Sequence, residues 1–454
     1  MRRALLLPLL LSATAASAQD PPAAPPTAPN DAAPVRLTVE EAVTRAVAAS
    51  ARLSRLTALE AAAAADSKAA RGERWPQLEI GAGYQRRSEV PELAIFAPTG
   101  NPAEPVQRVV VYPNIQDNWR VRAGLLMPIF TFGRVGGKVE SAEQAQTAAG
   151  HDLRAGRADL VLETKTAFWD LVTSRASAAL LQDAIRAYEA HIVDASNREK
   201  FGLAPRSELL AVEVERDRAE LDRLRAEAGA ELAEANLRRL LDLPPTARVE
   251  PVEPPAEAKA PPPDVEALVL EAQSLRPERQ ALLARVAAAD AAARSEHGGR
   301  LPQVELSGGY LYANPNRDIV PPTSDWADTW DIGVGISWKV LDGGRRQANE
   351  ARAQAQAEAT RQELLELDRG IRLQVTQQAL ELRTAVARRS VAERAVVSAA
   401  ESRRVAGERY RAGVIPSSEL TDAEVAHERA SLTLTEARAA LRLAAAGIDR
   451  AVGR

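Results

Sequence analysis

Apolar and polar positions alternate with period two in four short stretches of the chain, and follow a helical period almost everywhere else. In the first stretch Leu78, Ile80, Ala82 and Tyr84 face one way, and Glu79, Gly81, Gly83 and Gln85 the other. In the second, Trp119, Val121, Ala123, Leu125 and Met127 oppose Arg120, Arg122 and Gly124. Val304, Leu306, Gly308, Tyr310 and Tyr312 oppose Glu305, Ser307 and Gly309 in the third. In the fourth, Trp330, Ile332, Val334, Ile336 and Trp338 oppose Asp331, Gly333, Gly335 and Ser337. Strict alternation marks a strand with two unlike faces. It predicts strands over 77–86, 118–127, 303–312 and 330–338. Each is about 9–11 residues, the length a tilted strand needs to cross a bilayer. Alternation by itself also fits a soluble, half-buried sheet.

Between the strands, Val135–Lys200 and Arg346–Arg409 are charged and nearly free of Gly and Pro, which predicts helices of about 64 residues, roughly 95 Å long. Return helices follow over Ser207–Leu241 and Ser417–Val452. Shorter helices precede each strand pair over Val39–Arg71 and Asp264–His297. A return helix and a pre-strand helix placed end to end match one long helix in length. Leu209, Val212, Leu221 and Leu224 call for lateral partners beyond a single rod. Four strands are too few to close a barrel around a lumen. Both arguments imply an oligomer, and three copies would supply twelve strands and twelve helical strings.

The chain is an internal duplication. Val39–Tyr84 aligns with Val265–Tyr310 without gaps, and 17 of the 46 pairs are identical. Pro76-Gln77-Leu78-Glu79-Ile80 recurs as Pro302-Gln303-Val304-Glu305-Leu306. At an offset of 211, Trp119–Arg134 matches Trp330–Arg345, and the stretch from Pro205 to Leu209 matches that from Pro416 to Leu420. The first repeat is assigned to 37–242 and the second to 264–454. The 243–263 linker between them carries 8 Pro and is read as extended.

Met1–Ala18 has a basic start (Arg2, Arg3), an apolar run and an A-x-A end at Ala16-Ser17-Ala18, which reads as a secretory signal peptide covering 1–18. A disordered Pro/Ala-rich leader is expected over 19–36. No later apolar run is long enough for a transmembrane helix, so a membrane location would have to be a β-barrel. Aromatics decide between the two readings of the strands. Only 6 Trp, 6 Tyr and 5 Phe occur, and 12 of these 17 fall within 75–132 and 310–338. That concentration favours the aromatic girdles of an outer-membrane barrel, with Tyr84, Trp119, Tyr310, Tyr312, Trp330 and Trp338 as its members.

Composition narrows the chemistry. With 0 Cys there is no disulfide, thiolate or Cys-based metal site, and a net charge of −4 argues against a nucleic-acid binder. The four His have no metal-binding spacing. Gly133–Lys138 lacks the first Gly and the final Ser/Thr of a phosphate loop, and Gly333-Val334-Gly335 lies inside a strand. No catalytic residue, cofactor or metal is therefore expected, and the protein reads as a non-enzyme.

The order of these fragments resembles the TolC-like outer-membrane efflux protein family across nearly the whole mature chain. The resemblance rests on Leu37–Val43, Trp75-Pro76-Gln77, Leu301-Pro302-Gln303, Pro128–Gly133, Val340–Gly344 and Arg409–Leu420. It implies a mainly helical, trimeric protein. A 12-stranded outer-membrane β-barrel would continue into an α-helical periplasmic tunnel in a Gram-negative bacterium. The implied partners are two further copies of the chain, outer membrane lipid, a periplasmic adaptor (membrane fusion) protein and an inner-membrane pump. The implied function is a passive exit channel of a tripartite efflux or secretion system. By the same resemblance Gly202, Leu203, Gly413 and Val414 receive the adaptor, and Glu208, Tyr410, Glu419 and Asp422 surround the aperture. Phe201 stands directly before Gly202 whereas two residues separate Tyr410 from Gly413, the first turn lacks a Tyr hydroxyl, and Ile415 takes a place that is basic in some relatives; these departures from the family pattern suggest an aperture latch unlike that of family examples. A barrel-anchored coiled-coil adhesin is the alternative, and the alternation of strands and helices twice along the chain argues against it.

Overall fold

The computed structural model describes residues 34–101, 103–252 and 264–454. The segments expected as the signal peptide (1–18) and most of the leader lie outside the described residues. Each half begins with helices set up by local chemistry. After strand β1 (Val35–Leu37), helix α1 (Val39–Ala49) starts at a capping box in which Thr38 and Glu41 satisfy each other's backbone N–H groups. Ser50 ends α1 and caps α2 (Ala51–Gly72) by accepting from Leu53 N–H. Strand β2 (Gln77–Arg86) follows, then a hairpin of β3 (Leu93–Asn101) and β4 (Glu104–Tyr112), then β5 (Asp117–Phe130). Helix α3 (Arg134–Lys200) and its return helix α4 (Arg206–Leu240) complete the half. The second half repeats this through β6 (Val249–Pro251), α5 (Val265–Leu275), α6 (Pro277–Gly298), β7 (Gln303–Asn314), β8 (Ala327–Ser337), α7 (Arg345–Arg411) and α8 (Ser417–Val452).

Several expectations are corrected. Each pre-strand helix, expected as one piece, breaks once, at Ser50 and at Arg276, positions equivalent in the duplication. In the second half the cause is Pro277, which lacks an N–H and disfavours helical geometry at the residue before it. The end of the leader is not disordered, because Val35–Leu37 pairs in parallel with Val249–Pro251 inside the linker, and Arg36 pairs with Glu250 at 2.9 Å. Three residues are too few for a periodicity to show. The segment between the first two expected strands holds the β3–β4 hairpin, which no alternation announced. Pro98 and Pro105 masked it, and both are tolerated because this ribbon has only edge strands.

The four strands expected from alternation form one antiparallel sheet in the order β2-β5-β7-β8. Their register puts every apolar set on one face. Leu78 lies opposite Leu125, Leu125 opposite Gly308 and Gly308 opposite Ile332; Ile80, Ala123, Tyr310 and Trp330 form the next apolar row. Among the described residues no second layer covers either face, and nearly all of β2 and β8 is exposed.

The helical cores show the duplication in three dimensions. One cluster joins α1, α3 and α4 through Ala42, Ala46, Leu160, Phe168, Leu171, Leu237 and Leu241. The other joins α5, α7 and α8 through Leu268, Ala272, Ile371, Ala379, Leu382, Ile448 and Val452. Leu160, Phe168, Leu171, Leu237 and Leu241 are the 211-offset equivalents of Ile371, Ala379, Leu382, Ile448 and Val452. Each long helix of 67 residues, about 100 Å, therefore lies beside a return helix and the helices before the strands. Val212, expected to need a partner from outside, finds one within the chain, buried with Ile185, Tyr188 and Ala219. Leu221 and Leu224 remain half-exposed.

Leu171 and Leu382 are both buried at equivalent core positions. Leu171→Ala and Leu382→Ala should each destabilise the helical body by about 2–5 kcal/mol, the cost of lost burial plus a cavity. The measurement is thermal loss of helical circular dichroism, and an unchanged transition in both variants would contradict this packing.

Candidate functional site

Two regions gather unusual side chains: the helical turns at one end of the rod, and the apolar face of the sheet at the other. At the turns, both long helices end by the same device. Gly202 has φ 72° and Gly413 φ 74°, left-handed values that glycine adopts without Cβ strain. Gly202 N–H donates to Glu199 O and Leu203 N–H to Arg198 O; Gly413 N–H donates to Tyr410 O and Val414 N–H to Arg409 O. This paired pattern is a Schellman motif, and it satisfies the last carbonyls of each helix. Pro205 and Pro416 then open the return helices. The two turns are thus alike, with Phe201 equivalent to Ala412 and Glu199 equivalent to Tyr410. The spacing of an aromatic from the glycine therefore compares residues that are not equivalent.

The turns present an apolar tip. Phe201, Leu203 and Val414 are 80%, 77% and 65% exposed, while Ile415 is buried with Tyr410 and Leu420. Beneath the tip lies a polar knot that joins the two halves. Tyr410 is buried, its hydroxyl included. Burial pushes that hydroxyl's pKa up. The Arg198 guanidinium stacks on the Tyr410 ring at 4.0 Å and donates to Tyr410 O at 2.8 Å. The His191 ring meets Tyr410 edge-on at 5.1 Å. His191 Nε2 lies 3.0 Å from Ser417 Oγ, and its Nδ1 lies 3.3 Å from Glu424 Oε2. Ser417 N–H donates to Glu208 Oε2 at 3.2 Å. One turn further along, the Tyr188 hydroxyl donates to Glu428, whose carboxyl burial holds above its ordinary range.

The four residues expected around an aperture are therefore not brought together. Glu208 caps the first turn of α8, a favourable place for a carboxylate at a helix N-terminus. Tyr410 lies in the interior, stacked under Arg198. Glu419 and Asp422 are exposed on α8, one turn apart and away from the buried Ser417, Leu420, Thr421 and Ala423. Gly202, Leu203, Gly413 and Val414 do cluster on the exposed turns. Sequence reasoning missed His191, whose partners lie more than 220 residues away. One signal was available: Leu181, Ile185, Tyr188, His191 and Ala195 recur at spacings of three and four, so His191 sits on the buried stripe of α3.

On the sheet, the aromatics of the apolar face run diagonally. Tyr84 and Trp119 share a row with ring centroids 4.4 Å apart; Tyr312 lies two residues lower on β7, and Trp330, beside Tyr310, four residues lower on β8. With ~3.3 Å per residue and ~4.8 Å between strands, this descent corresponds to a tilt of roughly 43°. Strands of membrane barrels tilt by ~35–45°. A second band lies at the helix end: Trp75 before β2, Phe130 in β5, and Trp338 after β8, all exposed. Trp338 sits just past the strand in which it was expected, and its indole N–H donates to Arg300 O at 3.0 Å. Trp119 to Phe130 and Trp330 to Trp338 span eight to eleven residues. At that tilt they separate the bands by roughly 19–27 Å, against ~25 Å for an outer-membrane apolar band. Trp326, not anticipated, stacks on Tyr312 at 4.8 Å. Among the described residues no helix is long and apolar enough to cross a membrane, and no group of His, Cys, Asp and Glu is arranged to hold a metal ion.

A half-exposed sheet with tilted aromatic bands, joined to paired helical rods closed by glycine turns, defines a class of membrane channel protein. The chain belongs to the outer membrane efflux protein family, whose model matches residues 42–242 and 268–454. Its function is that of an outer-membrane efflux channel, and it is not an enzyme. No curated protein matches the chain in sequence. Solved structures share the fold. The outer-membrane channel OprN is 20% identical with a TM-score of 0.77, over 91% of this chain and 89% of that one. The outer membrane protein VceC from Vibrio cholerae is 18% identical with a TM-score of 0.77, over 91% and 96%. The CmeC outer membrane channel of Campylobacter jejuni is 16% identical with a TM-score of 0.74, over 91% and 85%.

His191→Ala removes the two His191 bonds to α8, at Ser417 and Glu424, and leaves only Glu208 on the Ser417 N–H. Losing a buried hydrogen bond costs about 1–3 kcal/mol. Amide hydrogen exchange at 418–421 should therefore quicken by about tenfold or more, while amides around Leu171 keep their protection. Equal exchange in variant and parent would show that the knot does not fasten the turn.

Proposed function

We propose that three copies of this chain close their sheets into one 12-stranded barrel in the outer membrane of a Gram-negative bacterium, β2 of one copy against β8 of the next. The helical rods then form a tunnel through the periplasm. Substrates pass outward through it by diffusion, and the energy comes from an inner-membrane pump reached through a periplasmic adaptor. The observation that carries this reading is the apolar face with its tilted aromatic bands, on a sheet whose two edges are long and unpaired. An open edge of 10 or 11 residues invites pairing, and in lipid it must be paired. Secretion of the mature chain after 1–18 fits the same location.

At the tip, the adaptor docks on the apolar turns, with Gly202 and Gly413 leaving room for close approach beside Leu203 and Val414. Glu419 and Asp422, exposed and one turn apart, repeat around the threefold axis and line the aperture. Like charges repeated around one axis favour cations and repel one another. Glu208 and Tyr410 act from behind: the first holds α8, and the second fills the hinge beneath it.

On a denaturing gel the unheated protein should migrate as a heat-sensitive trimer and fractionate with the outer membrane; a monomer recovered in the soluble fraction would refute the barrel. Converting Glu419 and Asp422 together to Ala should weaken cation preference and alter single-channel conductance in planar bilayers. Unchanged conductance and selectivity would remove both residues from the aperture.

A further inference from the structure

The polar face of the sheet carries five charged side chains, Glu79, Arg120, Arg122, Glu305 and Asp331. Among the described residues none of the five forms an ion pair. On the helices about half of the arginines are matched to carboxylates, such as Arg279 with Asp368 at 2.6 Å. The floor around the five is glycine. Glu79 lies opposite Gly124 and Glu305 opposite Gly335, and a Cβ at either glycine would have no atom within 4 Å. Gly81, opposite Arg122, is equally open. A cavity of about 620 Å³ lies over this face, lined by Glu79, Gly81, Arg122, Gly124 and Asp331 among others.

The duplication orders these charges along the strands. Glu79 and Glu305 are equivalent at offset 226, and the glycines opposite them, Gly124 and Gly335, are equivalent at offset 211. The two carboxylates therefore sit at one level on the first strand of each hairpin, toward the helices. Arg120 and Asp331 are equivalent at offset 211 and share a second level, toward the far end. Arg122, whose equivalent is Gly333, adds an unmatched positive charge there.

We propose that these residues determine charge specificity within the barrel, as two successive levels of opposite sign. This rests on the trimeric barrel proposed above. In that barrel, Glu79 and Glu305 alternate around the lumen as six carboxylates at the level nearer the helices. At the outer level three Arg120 and three Asp331 alternate, and three Arg122 leave a net positive charge. A solute leaving the tunnel meets the acidic level first, so organic cations are drawn into the barrel and organic anions are held back. Charged walls of low dielectric produce potentials of several kT, which is the scale needed to discriminate singly charged solutes.

The chain has 0 Cys, so a single introduced thiol is unique. Gly124→Cys and Gly335→Cys report the acidic level, and Gly81→Cys the arginine level. Each side chain enters open space, so folding should be preserved. In outer-membrane vesicles the three thiols are reacted with a cationic and an anionic methanethiosulfonate reagent of similar size. The expected ratio of cationic to anionic rates is about tenfold higher at Gly124→Cys and Gly335→Cys than at Gly81→Cys. Adding Glu79→Gln and Glu305→Gln should collapse that difference. Equal ratios at all three positions on a trimer that reacts would overturn the two-level proposal alone. Thiols that no reagent reaches, on a chain that does not form trimers, would overturn the barrel and this proposal with it.

Discussion

The constraint on which the rest depends is the sheet that a single chain cannot finish. Four antiparallel strands place a continuous apolar face on one side and a glycine-rich, charged face on the other. Neither face has a second layer, and both outer strands keep their backbone donors and acceptors on one side unpaired. In water the apolar face would aggregate, and in lipid the open edges would each cost several kcal/mol per unsatisfied group. Closure with other copies satisfies both at once. The aromatic diagonal agrees with that solution, because a row tilted against the strands becomes level only when the strands themselves tilt.

The helices meet the matching problem in another way. A helix of about 100 Å cannot be stabilised by a compact core, so burial is distributed in small clusters along its length. The two main clusters are equivalent, with Leu171 and Leu382 as their centres and Phe168 answered by Ala379. Pro277 and Ser50 break the short helices at equivalent points. Duplication thus gives two hairpins of strands and two helical hairpins, which is the symmetry a twelve-stranded closure by three chains requires.

Much of this was legible in the sequence, because period two and period 3.6 are local properties. The four strands, the two long helices and the return helices follow from patterns within each segment, and the duplication follows from identity at fixed offsets. The β1–β6 pairing was not legible, since three residues carry no periodicity and the partners lie more than 200 residues apart. The β3–β4 hairpin was hidden by prolines that an isolated ribbon tolerates. At the tip, the family resemblance placed Glu208 with Glu419, as their equivalence at offset 211 suggests. The structure separates them, because Glu208 is turned to the Ser417 N–H while Glu419 stays in solvent. Equivalent positions need not keep equivalent roles once the two halves touch each other.

That asymmetry bears on how the tip can move. Within the chain, the start of α8 is held by Glu208 from α4 and by His191 from α3, and the end of α7 is held by Arg198 from α3. All three holds come from the first half and fall on the second-half turn. Among the described residues the α3–α4 turn receives no answering set: Glu199 and Ala204 are only partly buried where their equivalents Tyr410 and Ile415 are buried. Loosening His191 or Arg198 would therefore release the α7–α8 hairpin before the other. The exposed carboxylates Glu419 and Asp422 ride on that same hairpin, whose fastening is made of separable polar contacts. Apolar packing elsewhere along the rod offers no such release, since Leu171 and Leu382 lose their burial only if the rod itself comes apart.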